Sequence, residues 1–204
     1  MADYEKLDHW SLRAQKEGYP ARSVYKLKEM DEKFGLFKGA AGGIRVLDLG
    51  AAPGSWSLYA LRKMGSRGYL AAADLSGLSR VYDRGLFDTP NFFFLQGDIT
   101  TATVRESLLS KGPYQLVMSD LAPATTGNRS VDTLRSLALV EEVVSYAELG
   151  LERGGTMVVK VFQGGDTAEV LKRLRSLFTT ARSFKPQACR PESFETYYLG
   201  LNKK

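Results

Sequence analysis

The sequence predicts an α/β fold built on a largely parallel sheet. Three observations carry that reading. Short apolar runs alternate with longer helical stretches along most of the 204 residues. A glycine-rich turn, Asp48-Leu-Gly-Ala-Ala-Pro-Gly-Ser-Trp56, follows the first run and opens the next helix. The last two runs have no helix between them, so they read as an antiparallel hairpin at one edge of the sheet.

Taken in order, residues 1–20 are polar and lack a clear period. From Ala21 to Phe34 the pattern turns helical: Leu27, Met30 and Phe34 share one face, and Arg22, Lys26 and Lys33 lie on a different side. Gly39 to Gly43 breaks the chain. Strands are expected over Ile44–Leu49, Tyr69–Ala73, Asn91–Leu95, Tyr114–Ser119 and Thr156–Phe162. Helices are expected over Ser55–Met64, Thr101–Ser110, Ser130–Leu151 and Thr167–Phe178, the third stopped by Gly154-Gly155. Arg182–Gln187 and Glu195–Leu201 are the late strands. Phe92-Phe-Phe94 reads as buried strand, because a base-stacking run would carry interleaved Lys or Arg.

Composition narrows the class. An apolar share of 44% and a charged share of 25% are ordinary for one soluble globular domain, and they exclude disordered and collagen-like chains. Cys189 and His9 are the only residues of their kinds, so an internal disulfide is impossible and no zinc-ligand spacing exists. The start of the chain has no signal-peptide apolar region, and no stretch has the roughly 18 apolar residues that span a bilayer. A cytoplasmic monomer without a metal is the expectation. The net charge of +5 hints at a polyanionic partner without proving one.

Sheets of this kind bind ligands beyond the carboxyl ends of their strands. The residues there are Gly50, Asp74, Asp98, Asp120 and Lys160, and folding alone does not call for three aspartates. Gly50 and Gly54 permit close approach of backbone to a ligand. Their G-x-x-x-G spacing is neither the G-x-G-x-x-G dinucleotide fingerprint nor a Walker A loop. A pyrophosphate cradle is therefore poorly supported, and a nicotinamide dehydrogenase with it. Asp74 stands where an acidic residue takes a ribose hydroxyl. The ligand reads as a nucleoside without a pyrophosphate, for which S-adenosylmethionine is the obvious candidate. Asp98 offers a polar group to the adenine, or simply ends a turn. Lys160 lies among Val158, Val159, Val161 and Phe162, where a lysine is seldom buried unless paired. Read alone, Lys26 is a solvated helix lysine, Glu195 an exposed strand residue and Trp56 a core residue.

Asp48 to Trp56, Ser119-Asp-Leu-Ala-Pro-Ala-Thr-Thr-Gly127 and Val158-Val-Lys-Val-Phe-Gln-Gly164, in that order, closely resemble the FtsJ/RrmJ (RlmE) family of S-adenosylmethionine-dependent ribosomal RNA ribose 2′-O-methyltransferases. The resemblance runs from about Gln15 to Asn202. It implies a Rossmann-like class I methyltransferase fold, a mostly parallel seven-stranded sheet with an antiparallel C-terminal edge hairpin and helices on both faces. It implies a catalytic tetrad of Lys26, Asp120, Lys160 and Glu195. Cofactor contacts carry over to Gly54, Trp56, Asp74, Asp98 and Asp120, beside Gly50 of the same turn. The implied substrate is the 2′-hydroxyl of a uridine in large-subunit (23S) ribosomal RNA, met within the large subunit during ribosome maturation. Relatives acting on transfer RNA or messenger RNA caps give an alternative substrate. A non-catalytic RNA-binding assembly factor is the rival of a different class, and an intact tetrad argues against it.

This chain departs from the family at Ser55, where glycine is frequent, at Leu75 to Ser79, and at Asp8-His-Trp10. The stretch from Leu75 to Gln96 is also longer. The whole reads as one domain, with residues 1–38 an RNA-facing segment and 39–204 the catalytic part. Candidate RNA contacts are Arg13, Lys16, Arg22, Lys28, Lys33, Lys38 and Arg129, six of them before residue 40. Lys160 could act as a base whose pKa a neighbouring Lys26 lowers, or as a cation that stabilises the developing oxyanion. Asp120 would orient it while raising its pKa.

Overall fold

The structure, a computed structural model, describes residues 8–164, 167–190 and 192–204. Residues 1–7, the acidic start, lie outside that set. Seven strands form one sheet: β1 (Arg45–Leu49), β2 (Tyr69–Asp74), β3 (Phe92–Gln96), β4 (Tyr114–Ser119), β5 (Leu151–Phe162), β6 (Phe178–Phe184) and β7 (Glu195–Lys203). Their order is β3-β2-β1-β4-β5-β7-β6. β1 to β5 are mutually parallel, and β7 runs antiparallel between β5 and β6. The strand order reverses between β1 and β4, which places a ligand crevice beyond their carboxyl ends.

Six helices cover the sheet: α1 (His9–Lys16), α2 (Val24–Phe34), α3 (Ser55–Met64), α4 (Ala102–Leu109), α5 (Arg129–Gly150) and α6 (Thr167–Leu177). Successive strand residues point to opposite faces. Val46, Leu70, Leu116, Met118, Val158 and Leu199 therefore pack under α2 and α3, with Ala14 of α1. Leu47, Leu49, Ala71, Val117, Met157 and Val159 pack under α4, α5 and α6. Burial on both faces explains why the central strands are nearly continuous in apolar residues. No helix among the described residues is long and apolar enough to cross a membrane.

The structure corrects several expected boundaries. α1 arises where no period is legible: Asp8 caps it by accepting the Ser11 N–H at 2.8 Å, and of its eight residues only Ala14 is buried. β5 starts at Leu151, directly after α5. Gly154-Gly155 do not stop a helix; they lie within the strand, with Gly154 at φ +82°, beside a register irregularity between Tyr114 and Leu116. β6 begins at Phe178, four residues earlier than expected, where Phe178 pairs with Lys203. It ends at Phe184, two residues before Pro186, which has no N–H to pair, and beyond it Gln187 and Ala188 donate to the Glu29 carboxylate at 2.7 and 2.8 Å. Phe92 to Phe94 lie on the edge strand β3 and are half-buried, not buried.

Candidate active site

β7 lies beside β5 with Lys160 opposite Tyr197 and Phe162 opposite Glu195. Residues two apart share a face of a strand. Lys160, Tyr197 and Glu195 therefore look toward the α2–α3 side, into which α2 sends Lys26. Asp120 enters from the chain just beyond β4. Lys26 Nζ is 2.8 Å from Glu195 Oε1, and Lys160 Nζ is 3.1 Å from Asp120 Oδ1. Lys160 also donates to the Asp120 main-chain carbonyl at 2.6 Å. Tyr197 donates its hydroxyl to Asp120 Oδ1 at 2.6 Å, and its ring centre is 5.9 Å from Lys26 Nζ. The structure thus brings all four expected tetrad residues together as two ion pairs. Lys26, Lys160 and Glu195 are buried to within 9% of full.

Pairing makes that burial tolerable. Burial opposes the charge on Asp120, but Lys160, Lys26 and the Tyr197 hydroxyl outweigh it and hold its carboxyl below the usual range. Burial likewise opposes the Lys26 ammonium, yet Asp120 and then Glu195 outweigh it and raise its pKa. Lys26 is therefore not a lone cation beside Lys160. Lys26 has its own carboxylate, and the four charges sum to zero.

α3 fixes the start of α2. Ser55 Oγ accepts the Ala21 N–H at 2.8 Å and donates to the Ala21 carbonyl at 3.2 Å. Trp56 donates its indole N–H to the Ser23 carbonyl at 2.9 Å. Farther along, Asp31 accepts the Tyr59 hydroxyl at 2.6 Å and the Phe37 N–H at 3.0 Å. The serine at position 55 thus does structural work a glycine could not. Trp56, which the resemblance implies as a cofactor contact, is 2% exposed and its ring packs 5.9 Å from the Tyr197 ring.

On the crevice side, Gly50 (φ +83°) and Gly54 (φ +109°) open the first turn. The room a Cβ would take is filled by Leu121 and Phe87, respectively, so the protein's own packing already requires glycine at both positions. Asp74 accepts the Ala52 N–H through Oδ2 at 3.0 Å and the Ser76 N–H through Oδ1 at 2.8 Å, which ties the end of β2 to the turn. Asp98 spends Oδ1 on the Thr100 N–H and hydroxyl, so the turn role is real, and Oδ2 has no partner among the described residues.

Two residues of the site carried no role in the sequence reading. Tyr197 holds Asp120, and its signal is position: two residues after Glu195, hence the same face. Asp48 is fully buried in β1 and accepts the Ser57 hydroxyl through Oδ2 at 2.6 Å, while Oδ1 is unpartnered. Burial pushes its carboxyl up to about 7, with Asp120 and Asp74 adding to the shift against the Ser57 hydrogen bond. Its signal is a carboxyl inside the apolar run Val46–Leu49, the same oddity that singles out Lys160.

The expected RNA contacts divide. Arg13, Lys28 and Lys33 line one open groove on α1 and α2. Arg22 lines a pocket of about 400 Å³ with Lys26 and Glu195, but its guanidinium is tied to Asp8 and the Ala188 carbonyl. Lys16 is exposed at the end of α1, and Arg129 sits 5.2 Å over the Phe194 ring. Lys38 lies with Ile44, Thr156 and Asn202 at the opposite end of the sheet, so the structure removes it from the patch. Burial pushes the Cys189 thiol up to about 12, which leaves it unreactive at neutral pH.

A family model described as FtsJ-like methyltransferase matches residues 19–203. A protein of Treponema denticola named ribosomal RNA large subunit methyltransferase E is 52% identical over 202 residues, covering 98% of this chain and 97% of its own. A protein of the same name from Oleidesulfovibrio alaskensis is 47% identical, covering 97% and 92%. A solved ribosomal RNA methyltransferase of Plasmodium falciparum matches with a TM-score of 0.74 at 25% identity, over 91% of this chain and 98% of that one. Human methyltransferase-like protein 13, in complex with SAH, shares the fold with a TM-score of 0.60 at 13% identity, over 87% and 82%.

Proposed function

The chain belongs to the FtsJ-like methyltransferase family, and from that premise we propose that it transfers a methyl group from S-adenosylmethionine to a ribose 2′-hydroxyl of large-subunit ribosomal RNA. The observation that carries the reading is the buried, ion-paired Lys160 at the crevice end of β5, gripped by Asp120 beside a second pair, Lys26–Glu195. A binding module has no use for two lysines held in place by two carboxylates.

The crevice fits an adenosyl cofactor. Asp48 Oδ1 is a buried acceptor with no donor, and Asp98 Oδ2 is an open one. An ammonium and an adenosine bring donors for acceptors of this kind. Asp74, Asp98 and the Gly50–Gly54 turn would hold the nucleoside, with Asp48 beneath the turn. When bound, the cofactor supplies a methyl already activated on a sulfonium sulfur.

Positioning then does much of the work. For the 2′-oxygen to take that methyl, with the carbon–sulfur bond giving way, the hydroxyl proton would have to pass to a base, either Lys160 or water. Lys160 Nζ is the group placed to meet that hydroxyl. It would take that proton as a base or, as a cation, steady the oxygen as negative charge develops there. Lys26 and Glu195 complete a rigid, charge-balanced wall that needs no rearrangement. Tyr197 keeps the Asp120 carboxylate turned toward Lys160.

The test is methylation of large-subunit ribosomal RNA and of large-subunit particles with labelled cofactor, the modified ribose being mapped by mass spectrometry. The expected site is a uridine 2′-oxygen. Lys160→Ala should cost about 10²- to 10⁴-fold in rate while cofactor affinity holds. Base methylation, or full activity in that variant, would overturn the reading.

A further inference from the structure

An open groove of about 680 Å³ runs between α1, α2 and the end of β6, on the far side of the Gln187–Ala188 segment from the tetrad. Its volume lies within the roughly 300–1,000 Å³ of small-ligand sites. Trp10, Tyr25 and Phe184 supply apolar faces, and Arg13, Lys28, Lys33 and Lys185 supply cations. The two kinds interleave. Arg13 lies 4.9 Å over the Tyr25 ring, Lys28 lies 5.0 Å over it, and Lys33 lies 4.4 Å over the Phe184 ring. Trp10 packs 4.9 Å from Tyr25.

We propose that this groove stacks an unpaired nucleotide of the RNA strand about three positions away from the one whose ribose meets Lys160. The inference rests on RNA being the substrate. Aromatic faces beside cations are the chemistry that holds single-stranded nucleic acid, because every base has a π-face and every linkage a charge. Charge favours the same occupant. Four cations face Glu29 and Glu32, and Glu29 spends both oxygens on the backbone N–H groups of Gln187 and Ala188. Among the described residues Lys33 and Lys185 form no ion pair, whereas Arg13 and Lys28 share Glu17. Those two cations remain for phosphates.

Distance also fits. Lys26 and Lys33 stand on the same helix, seven residues and so about 10 Å apart. That is about three stacked nucleotides at 3.4 Å each. The Gln187–Ala188 segment is the septum between groove and tetrad pocket. Glu29 pins it from one side and Arg22 from the other, through the Ala188 carbonyl at 2.6 Å. A strand crossing that septum places one nucleotide in the groove and another at the tetrad.

The test uses the full chain, a short single-stranded RNA and the same sequence closed into a duplex. The chain has two tryptophans, and Trp56 is 2% exposed, so quenching of fluorescence reports Trp10. Single-stranded RNA should quench it, and duplex should not. Trp10→Ala and Phe184→Ala should each weaken single-strand binding by about 5- to 150-fold. KM for large-subunit RNA should rise while kcat and cofactor affinity hold. Lys33→Glu should weaken binding and flatten its salt dependence. Unchanged affinity and KM in Trp10→Ala and in Phe184→Ala, with both folded by circular dichroism, would overturn the inference. So would normal RNA binding combined with loss of activity on ribosomal particles alone, which would assign the groove to a ribosomal protein. Absence of RNA methylation by the wild-type chain would instead strike the enzymatic reading, because the quenching measurement needs no reaction.

Discussion

Asp120 grips Lys160 twice, through its main-chain carbonyl at 2.6 Å and its carboxylate Oδ1 at 3.1 Å. The first contact survives any substitution at position 120, and the second depends on the side chain. The two can therefore be separated.

Asp120→Asn keeps the carbonyl contact and removes the charge. Asp120 has its folded-state pKa below the ordinary value of 3.8. A depressed carboxyl pKa adds stability that is full above the unfolded value and is lost as pH falls through the folded one. Wild-type protein should therefore lose this increment below about pH 4, and Asp120→Asn should lack that loss. At neutral pH the variant should be less stable by about 1.5–3 kcal/mol, the range for a charged hydrogen bond. Thermal melts from pH 3 to 7 check both signs. Parallel melting curves for the two proteins would mean that the pair adds nothing to folding.

Asp48 should show the opposite sign. Burial raises its pKa to about 7 in the folded chain. A carboxyl raised above its unfolded value contributes stability fully below that value and loses it as pH rises toward the folded one. The difference in melting temperature between wild type and Asp48→Asn, without cofactor, should shift in favour of the variant from about pH 4 to pH 7. It should be flat above that. The asparagine can still accept the Ser57 hydroxyl, so the slope reports the charge and not the lost hydrogen bond. A pH-independent difference would mean that Asp48 is ionised throughout.

How much of this was legible in the sequence depends on the distance over which each fact is set. Lys160 stands out in its own strand, because a lysine within Val158–Phe162 contradicts local burial. Lys26 and Glu195 do not. Each looks like a surface residue, and they meet only because β7 inserts antiparallel beside β5, across 169 positions of chain. Only the family resemblance brought them forward. The same tertiary cause hid the true ends of β5 and β6. Gly154 bends a strand instead of ending a helix, and the Gln187 and Ala188 N–H groups are claimed by Glu29 from α2. Trp56 shows the reverse. The plain reading of a tryptophan as core holds for its ring, which is buried, and the resemblance names the residue for the cofactor without saying which of its atoms would meet it.

Gly50 supplies the sharpest packing test. Its φ of +83° is a conformation that costs an ordinary residue about 1–2 kcal/mol. A Cβ there would stand 2.5 Å from Leu121 Cγ and 3.1 Å from the Leu121 backbone nitrogen. Overpacking of this kind costs about 1–3 kcal/mol more. Gly50→Ala should therefore lose about 2–5 kcal/mol in urea denaturation. Leu121 follows Asp120 in the chain, so whatever moves Leu121 also moves the residue that holds Lys160. Methyl transfer should fall more steeply than stability explains, measured at a temperature where the variant is fully folded. Adding Leu121→Ala should relieve the side-chain clash and recover part of the loss, but not the part owed to φ. If Gly50→Ala costs under about 0.5 kcal/mol, as an ordinary surface change does, the turn is not held against Leu121 in the way described.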